Sequence, residues 1–165
     1  MDISQPRWKT PEYSKREINE AGAAIRNSEI SPEDRAAALR IVDNWRSAHA
    51  YPLHVFYMNL RRKCGSRKDI LVAERLKRID SIVGKLQREE GMQLYRMQDL
   101  GGCRMVLPTL QDVYTYSESF NRFLIISLDV LICRYSPLFR AFPALFISEE
   151  PHKSFYYPLC CRSQK

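Results

Sequence analysis

Glycine, paired cysteines and long apolar runs are scarce in this chain of 165 residues. Six glycines are present and none follows Gly102, and Gly101-Gly102 alone is too short to make a phosphate loop. Five cysteines (Cys64, Cys103, Cys133, Cys160 and Cys161) contain no CxxC pair. Their odd number and the adjacency of the last two exclude a zinc framework or a paired disulfide scaffold. They read as reduced thiols of a cytoplasmic protein. His49, His54 and His152 have no metal-binding spacing. The most apolar run, Phe123 to Cys133, already includes Asp129 and is far shorter than the roughly 20 residues a membrane span needs. The polar, charged start MDISQPRWKTPEYSKRE is not a signal peptide.

What the chain does have is basic charge. A net charge of +7 and a pI near 9.3 favour polyanionic partners such as nucleotides, nucleic acid or an anionic surface. At 45% hydrophobic and 27% charged residues the composition suits one folded domain with a real core.

The first 65 residues read as helical. Ile18, Ala21, Gly22 and Ile25 recur at i, i+3, i+4 and i+7, one apolar face of a helix of about 14 residues. Ser31-Pro32-Glu33-Asp34 is a helix start, with Ser31 as N-cap and Pro32 at the first helical position. That helix buries Ala38, Ile41, Val42 and Trp45 and should stop near Ala50-Tyr51, because Pro52 disfavours helical backbone at the residue before it. Pro52 then opens a third helix, which ends in Arg61-Arg62-Lys63 before Gly65.

Residues 66–114 read differently. Asp69 to Ala73 forms a short apolar strand, Ile79 to Glu90 a helix, and Cys103 to Leu107 a second strand. Thr109-Leu110-Gln111-Asp112 resembles a capping box with Asp in place of Glu. Strands alternating with helices predict an α+β fold with a mixed sheet covered by helices. Residues 115–165 form an apolar tail broken by Pro137, Pro143, Pro151 and Pro158, without a sustained period of 2 or 3.6.

Chemistry-bearing residues concentrate between Val72 and Leu107. Arg75 and Lys77 sit two apart at the end of the first strand, and Lys85 follows Ser81 by one helical turn. Arginine offers a planar fork and lysine a point charge, so the set suits phosphates. Arg75, Lys77, Arg78 and Arg88 also suit a solvated face paired with Glu74, Asp80, Glu89 and Glu90. Asp99 precedes Leu100-Gly101-Gly102 and reads either as a Mg²⁺ ligand or as a turn residue. Arg104 reads either as a neutraliser of phosphate charge or as the partner of Asp99.

Two blocks, RLKRIDSIVGKL (Arg75 to Leu86) and DLGGCRMVL (Asp99 to Leu107), followed by DVY (Asp112 to Tyr114), resemble in order and spacing the RelA/SpoT nucleotidyltransferase domain. TPEYSKREINEAG (Thr10 to Gly22) and NWRSAHAYPLHVF (Asn44 to Phe56) resemble the helical region before that domain in its small, single-domain and toxin-type members. The resemblance covers residues 10 to 114. It implies ATP-phosphate binding by Arg75, Lys77, Ser81 and Lys85. Asp99 would be the catalytic Mg²⁺ ligand, and Arg104 a catalytic, charge-neutralising residue. The implied activity is that of a pyrophosphokinase of guanosine tetraphosphate metabolism and the stringent response. It transfers pyrophosphate from ATP to the 3′-hydroxyl of GTP or GDP. In the toxin–antitoxin branch the acceptor is the tRNA 3′ end, and the partner an antitoxin. After Tyr114 the family's glycine–tyrosine motif (GYRSIH-like) and its later glutamate segment (EVQIRT-like) are both missing. A truncated or frameshifted member, holding the ATP half of the site without the acceptor half, is the expectation. Its transfer activity should be impaired, leaving a nucleotide- or RNA-binding module or an inactive remnant.

Overall fold

A computed structural model describes residues 8–116, 119, 146–147 and 154–159, the last two stretches by backbone alone. The fold is α+β. Helix α1 spans Lys15–Arg26, α2 Pro32–Ala48, α3 Ala50–Cys64 and α4 Ile79–Arg88. Strands β1 (Leu71–Leu76), β2 (Gly101–Val106), β3 (Phe146–Ile147) and β4 (Ser154–Leu159) form one sheet in the order β1-β2-β4-β3.

Local chemistry accounts for the helix limits. Ser14 caps α1 through a full capping box. Its hydroxyl accepts from Glu17 N–H at 3.3 Å, and Glu17 Oε2 accepts from Ser14 N–H at 2.7 Å. The apolar face predicted for α1, Ile18, Ala21, Gly22 and Ile25, is its buried face. Ser31 caps α2 as expected, accepting from Asp34 N–H at 3.1 Å. The α2–α3 boundary differs from expectation by two residues: α3 begins at Ala50, and Pro52 is its third residue. The first four helical N–H groups have no intrahelical partner, so a proline there removes no hydrogen bond and the helix starts ahead of it. Helix α3 ends at Gly65, whose φ of 55° lies in the region where side chains are disfavoured and glycine is not.

Two buried clusters hold the chain together. In the first, α1 and α2 pack with α4 and a 3₁₀ turn at Leu94–Arg96, around Trp45, Ile18, Ile25, Ile82, Leu86 and Met97. Trp45 stacks on Tyr95 with ring centroids 5.1 Å apart. Burying each such aliphatic side chain is worth about 1.5–3 kcal/mol. In the second cluster, α3 lays Leu53, Phe56 and Leu60 against Val72, Cys103 and Met105 on one face of the sheet. Polar ties fix the rest. Asn44 Oδ1 accepts from Glu12 N–H at 3.1 Å and its Nδ2 donates to Thr10 carbonyl at 3.3 Å, pinning the segment before α1 to α2. Arg26 donates to the carbonyls of Leu86 (2.8 Å) and Met92 (2.6 Å), where α4 ends. Arg67 bridges Asp69 and Asp112, joining the α3–β1 loop to the helical residues 110–116. Thr109 caps those residues as predicted, accepting from Asp112 N–H at 3.0 Å.

The sheet corrects two expectations. The first strand lies two residues later than predicted, over Leu71–Leu76 rather than Asp69 to Ala73, and carries Arg75 inside it. All three described pairings are antiparallel, so the expected mixed arrangement is replaced by an antiparallel one. A parallel neighbour needs a connection that crosses to the far end of the sheet. Here residues 77–100 leave β1 and enter β2 at the same end, and Lys77 N–H donates to the Leu100 carbonyl at 2.7 Å to close the excursion. In the tail, whose proline-broken patterning shows no sustained period, Ser154–Leu159 pairs along β2 from Gly101 to Val106. That pairing covers an edge that would otherwise expose a row of backbone donors and acceptors. The apolar run Phe123 to Cys133, His152 and Cys133, Cys160 and Cys161 lie outside the described residues. No helix among the described residues is long and apolar enough to cross a membrane.

Candidate functional site

The closed excursion of residues 77–100 builds the site. Lys77 follows β1 directly, Lys85 projects from α4, and Asp99 stands just before β2. Lys77 Nζ donates to Asp99 Oδ2 at 2.9 Å and Lys85 Nζ donates to Asp99 Oδ1 at 3.2 Å. Each carboxylate oxygen therefore holds one ammonium. The side chains are half-buried, at 22% exposure for each lysine and 33% for the aspartate. Burial pushes the Asp99 carboxyl upward in pKa, but the hydrogen bonds and positive charge of Lys77 and Lys85 outweigh it and hold the group below its ordinary value. Lys85 also lies 4.0 Å from Glu89.

Among the residues predicted for a site, these three meet. Ser81 is exposed on the first turn of α4, one turn before Lys85. Helix α4 starts after Arg78 without a side-chain cap, and the dipole at a helix start favours anions. Arg75 and Arg104 are exposed on neighbouring strands. In register, Arg75 opposes Gly102 and Arg104 opposes Ala73. Residues directly opposite in an antiparallel pair share a face, so both arginines lie on the face turned away from Cys103, Met105 and α3. Of the four acids expected to pair with a solvated basic face, Glu74, Asp80, Glu89 and Glu90, Glu74 instead meets His54 at 3.1 Å.

One residue escapes the sequence reading altogether. Arg46, near the end of α2, donates from Nε to the Lys77 carbonyl at 2.7 Å and pairs with Asp43 at 3.5 Å. It holds the backbone at the foot of the Lys77 side chain. Nothing in the spacing of an exposed-face arginine on an amphipathic helix announces a bond to a residue 31 positions away.

Nearby thiols are not part of the chemistry. Cys64 and Cys103 are buried and free. Burial, reinforced at Cys103 by the Glu74 charge, pushes that thiol far above its ordinary value, and a thiol kept protonated is a poor nucleophile.

Chemically, two ammonium groups around one carboxylate make a place for an anion with a potential metal ligand beside it. Among the described residues no group of three His, Cys, Asp or Glu side chains converges to hold a metal alone. A single carboxylate does fit a Mg²⁺ that takes its remaining ligands from phosphate oxygens and water. No protein-family model matches the chain, and comparison with curated proteins finds no match.

Proposed function

We propose that this chain is a RelA/SpoT-like, (p)ppGpp synthetase-type protein of the cytoplasm that binds ATP with Mg²⁺ at the Lys77–Asp99–Lys85 cluster. One observation carries the proposal: side chains at positions 77, 85 and 99, which the motif resemblance makes phosphate and metal binders, lie within hydrogen-bonding distance of one another. The uncapped start of α4 and the exposed Arg75, Arg78 and Arg104 add positive potential. Lys77 and Lys85 would hold the phosphates, and Asp99 would hold Mg²⁺ together with phosphate oxygens. When bound, the metal supplies neutralisation of the charge that builds on the transferring group. Arg46 keeps Lys77 in place through the backbone.

The reaction the resemblance implies joins the β-phosphorus of ATP to the 3′-hydroxyl oxygen of GTP or GDP, breaks the bond from that phosphorus to the α,β-bridging oxygen, and releases AMP and the hydroxyl proton. The acceptor motifs missing after Tyr114 make this transfer weak in the present chain. Calorimetric titration with ATP and Mg²⁺, followed by incubation of labelled ATP with GTP, GDP or tRNA, tests both parts. The expected result is ATP binding that Mg²⁺ strengthens, with that strengthening abolished in Asp99→Ala, and little labelled product. Product on tRNA instead of guanosine nucleotides would move the chain to the toxin branch. Absence of ATP binding at millimolar nucleotide would overturn the proposal.

A further inference from the structure

The pairing within the cluster points to a role for Asp99 besides that of metal ligand. A bare metal ligand is expected to face open space or water, but both oxygens of Asp99 are engaged by ammonium groups, at 2.9 and 3.2 Å. A carboxylate and a phosphate present the same thing to lysine: a pair of anionic oxygens that accept charge-assisted hydrogen bonds. We infer that Asp99 is an internal stand-in for phosphate: it occupies Lys77 and Lys85 in the empty protein and is displaced by a di- or triphosphate group, which frees its oxygens for the metal.

This inference rests on the reading of the cluster as a phosphate site, though not on the phosphate belonging to a nucleotide. Its consequence is an order of binding. A divalent cation by itself meets a carboxylate already neutralised by two positive charges, and like-charge repulsion from both lysines opposes its entry. A polyphosphate meets two cations whose present partner is a partly exposed, exchangeable carboxylate. Once the lysines have moved to phosphate, Asp99 and the phosphate oxygens together make a cation site that neither makes alone.

Asp99→Asn separates this from a plain metal-ligand role, because the two ideas predict opposite signs. The substitution keeps the shape and removes the competing charge. Inorganic triphosphate titrated in the presence of EDTA should then bind tighter than to the natural chain, on the order of tenfold for the loss of two partly exposed ion pairs. Wild-type protein should bind Mn²⁺, followed by its paramagnetic resonance signal, only when triphosphate is present. That second measurement needs no variant and stands if Asp99→Asn fails to fold. Unchanged or weaker metal-free triphosphate binding in Asp99→Asn, or Mn²⁺ binding to the wild type without triphosphate, would overturn the inference. If triphosphate binds as described while ATP does not, the stand-in role survives and the nucleotide reading falls. If triphosphate binds to neither protein, both fall.

Discussion

Acid should destabilise this protein well above the pH at which carboxylates titrate, and the cause is His49. This residue is fully buried at the junction of α2 and α3. Its Nδ1–H donates to the Trp45 carbonyl at 2.7 Å, and its ring meets Trp45 edge-on at 4.8 Å. Burial pulls its pKa down from 6.5 to about 4, a shift that the hydrogen bond to Trp45 only partly opposes. Above pH 6.5 neither folded nor unfolded chain carries the proton, and His49 makes no difference. As the pH falls from 6.5 towards 4, the unfolded chain takes up a proton that the folded chain refuses, so stability drops. Below about 4 both forms are protonated and the loss levels off. The gap between the two values corresponds to about 3 kcal/mol, a large part of the 5–15 kcal/mol typical of a domain. The carboxylates held low by partners, Asp99 and Asp112 among them, lose their contributions only below about pH 4, so the windows are separate. Urea unfolding followed by tryptophan fluorescence between pH 7.5 and 4.5 measures the slope. His49→Asn can place an amide N–H where Nδ1–H lies, and it cannot be protonated. It should be less stable than the natural chain at pH 7.5, through lost packing, yet lack most of the slope. An equally steep slope in His49→Asn would refute this account.

Three further outcomes follow from packing and from the tie to Lys77. Gly22 faces the 3₁₀ turn so closely that an added Cβ would lie 2.8 Å from Leu94 Cβ. Gly22→Ala should therefore lower stability by about 1–3 kcal/mol despite alanine's better helix propensity, readable as a lower denaturation midpoint. Leu86→Ala empties a fully buried position on the inner face of α4 and should cost about 2–5 kcal/mol by the same measurement. Arg46→Ala removes the donor to the Lys77 carbonyl and should cost about 1–3 kcal/mol. It should also weaken triphosphate binding, whereas substitution of the exposed Arg40 should leave binding within twofold of the natural chain; calorimetry distinguishes them.

Sequence by itself determined the parts of this protein whose causes are local. The capped start of α2, the apolar face of α1 and the glycine end of α3 were legible because caps, helical periodicity and a positive φ depend on residues within a turn or two. The α+β class followed from the change of period after Gly65. Lys77, Lys85 and Asp99 were legible as candidates by residue type and motif, but not as a set, because nothing local relates position 77 to position 99. Tertiary structure decided that. The excursion returns to the end of the sheet it left, so β2 pairs antiparallel with β1 and Asp99 arrives beside two lysines. It also decided that Ser154–Leu159 lies along β2, since backbone pairing can join a proline-broken segment to a strand whose sequence gives no sign of it. Arg46 belongs to the same class: its helix was predictable from periodicity, and its partner, the carbonyl of Lys77, was not.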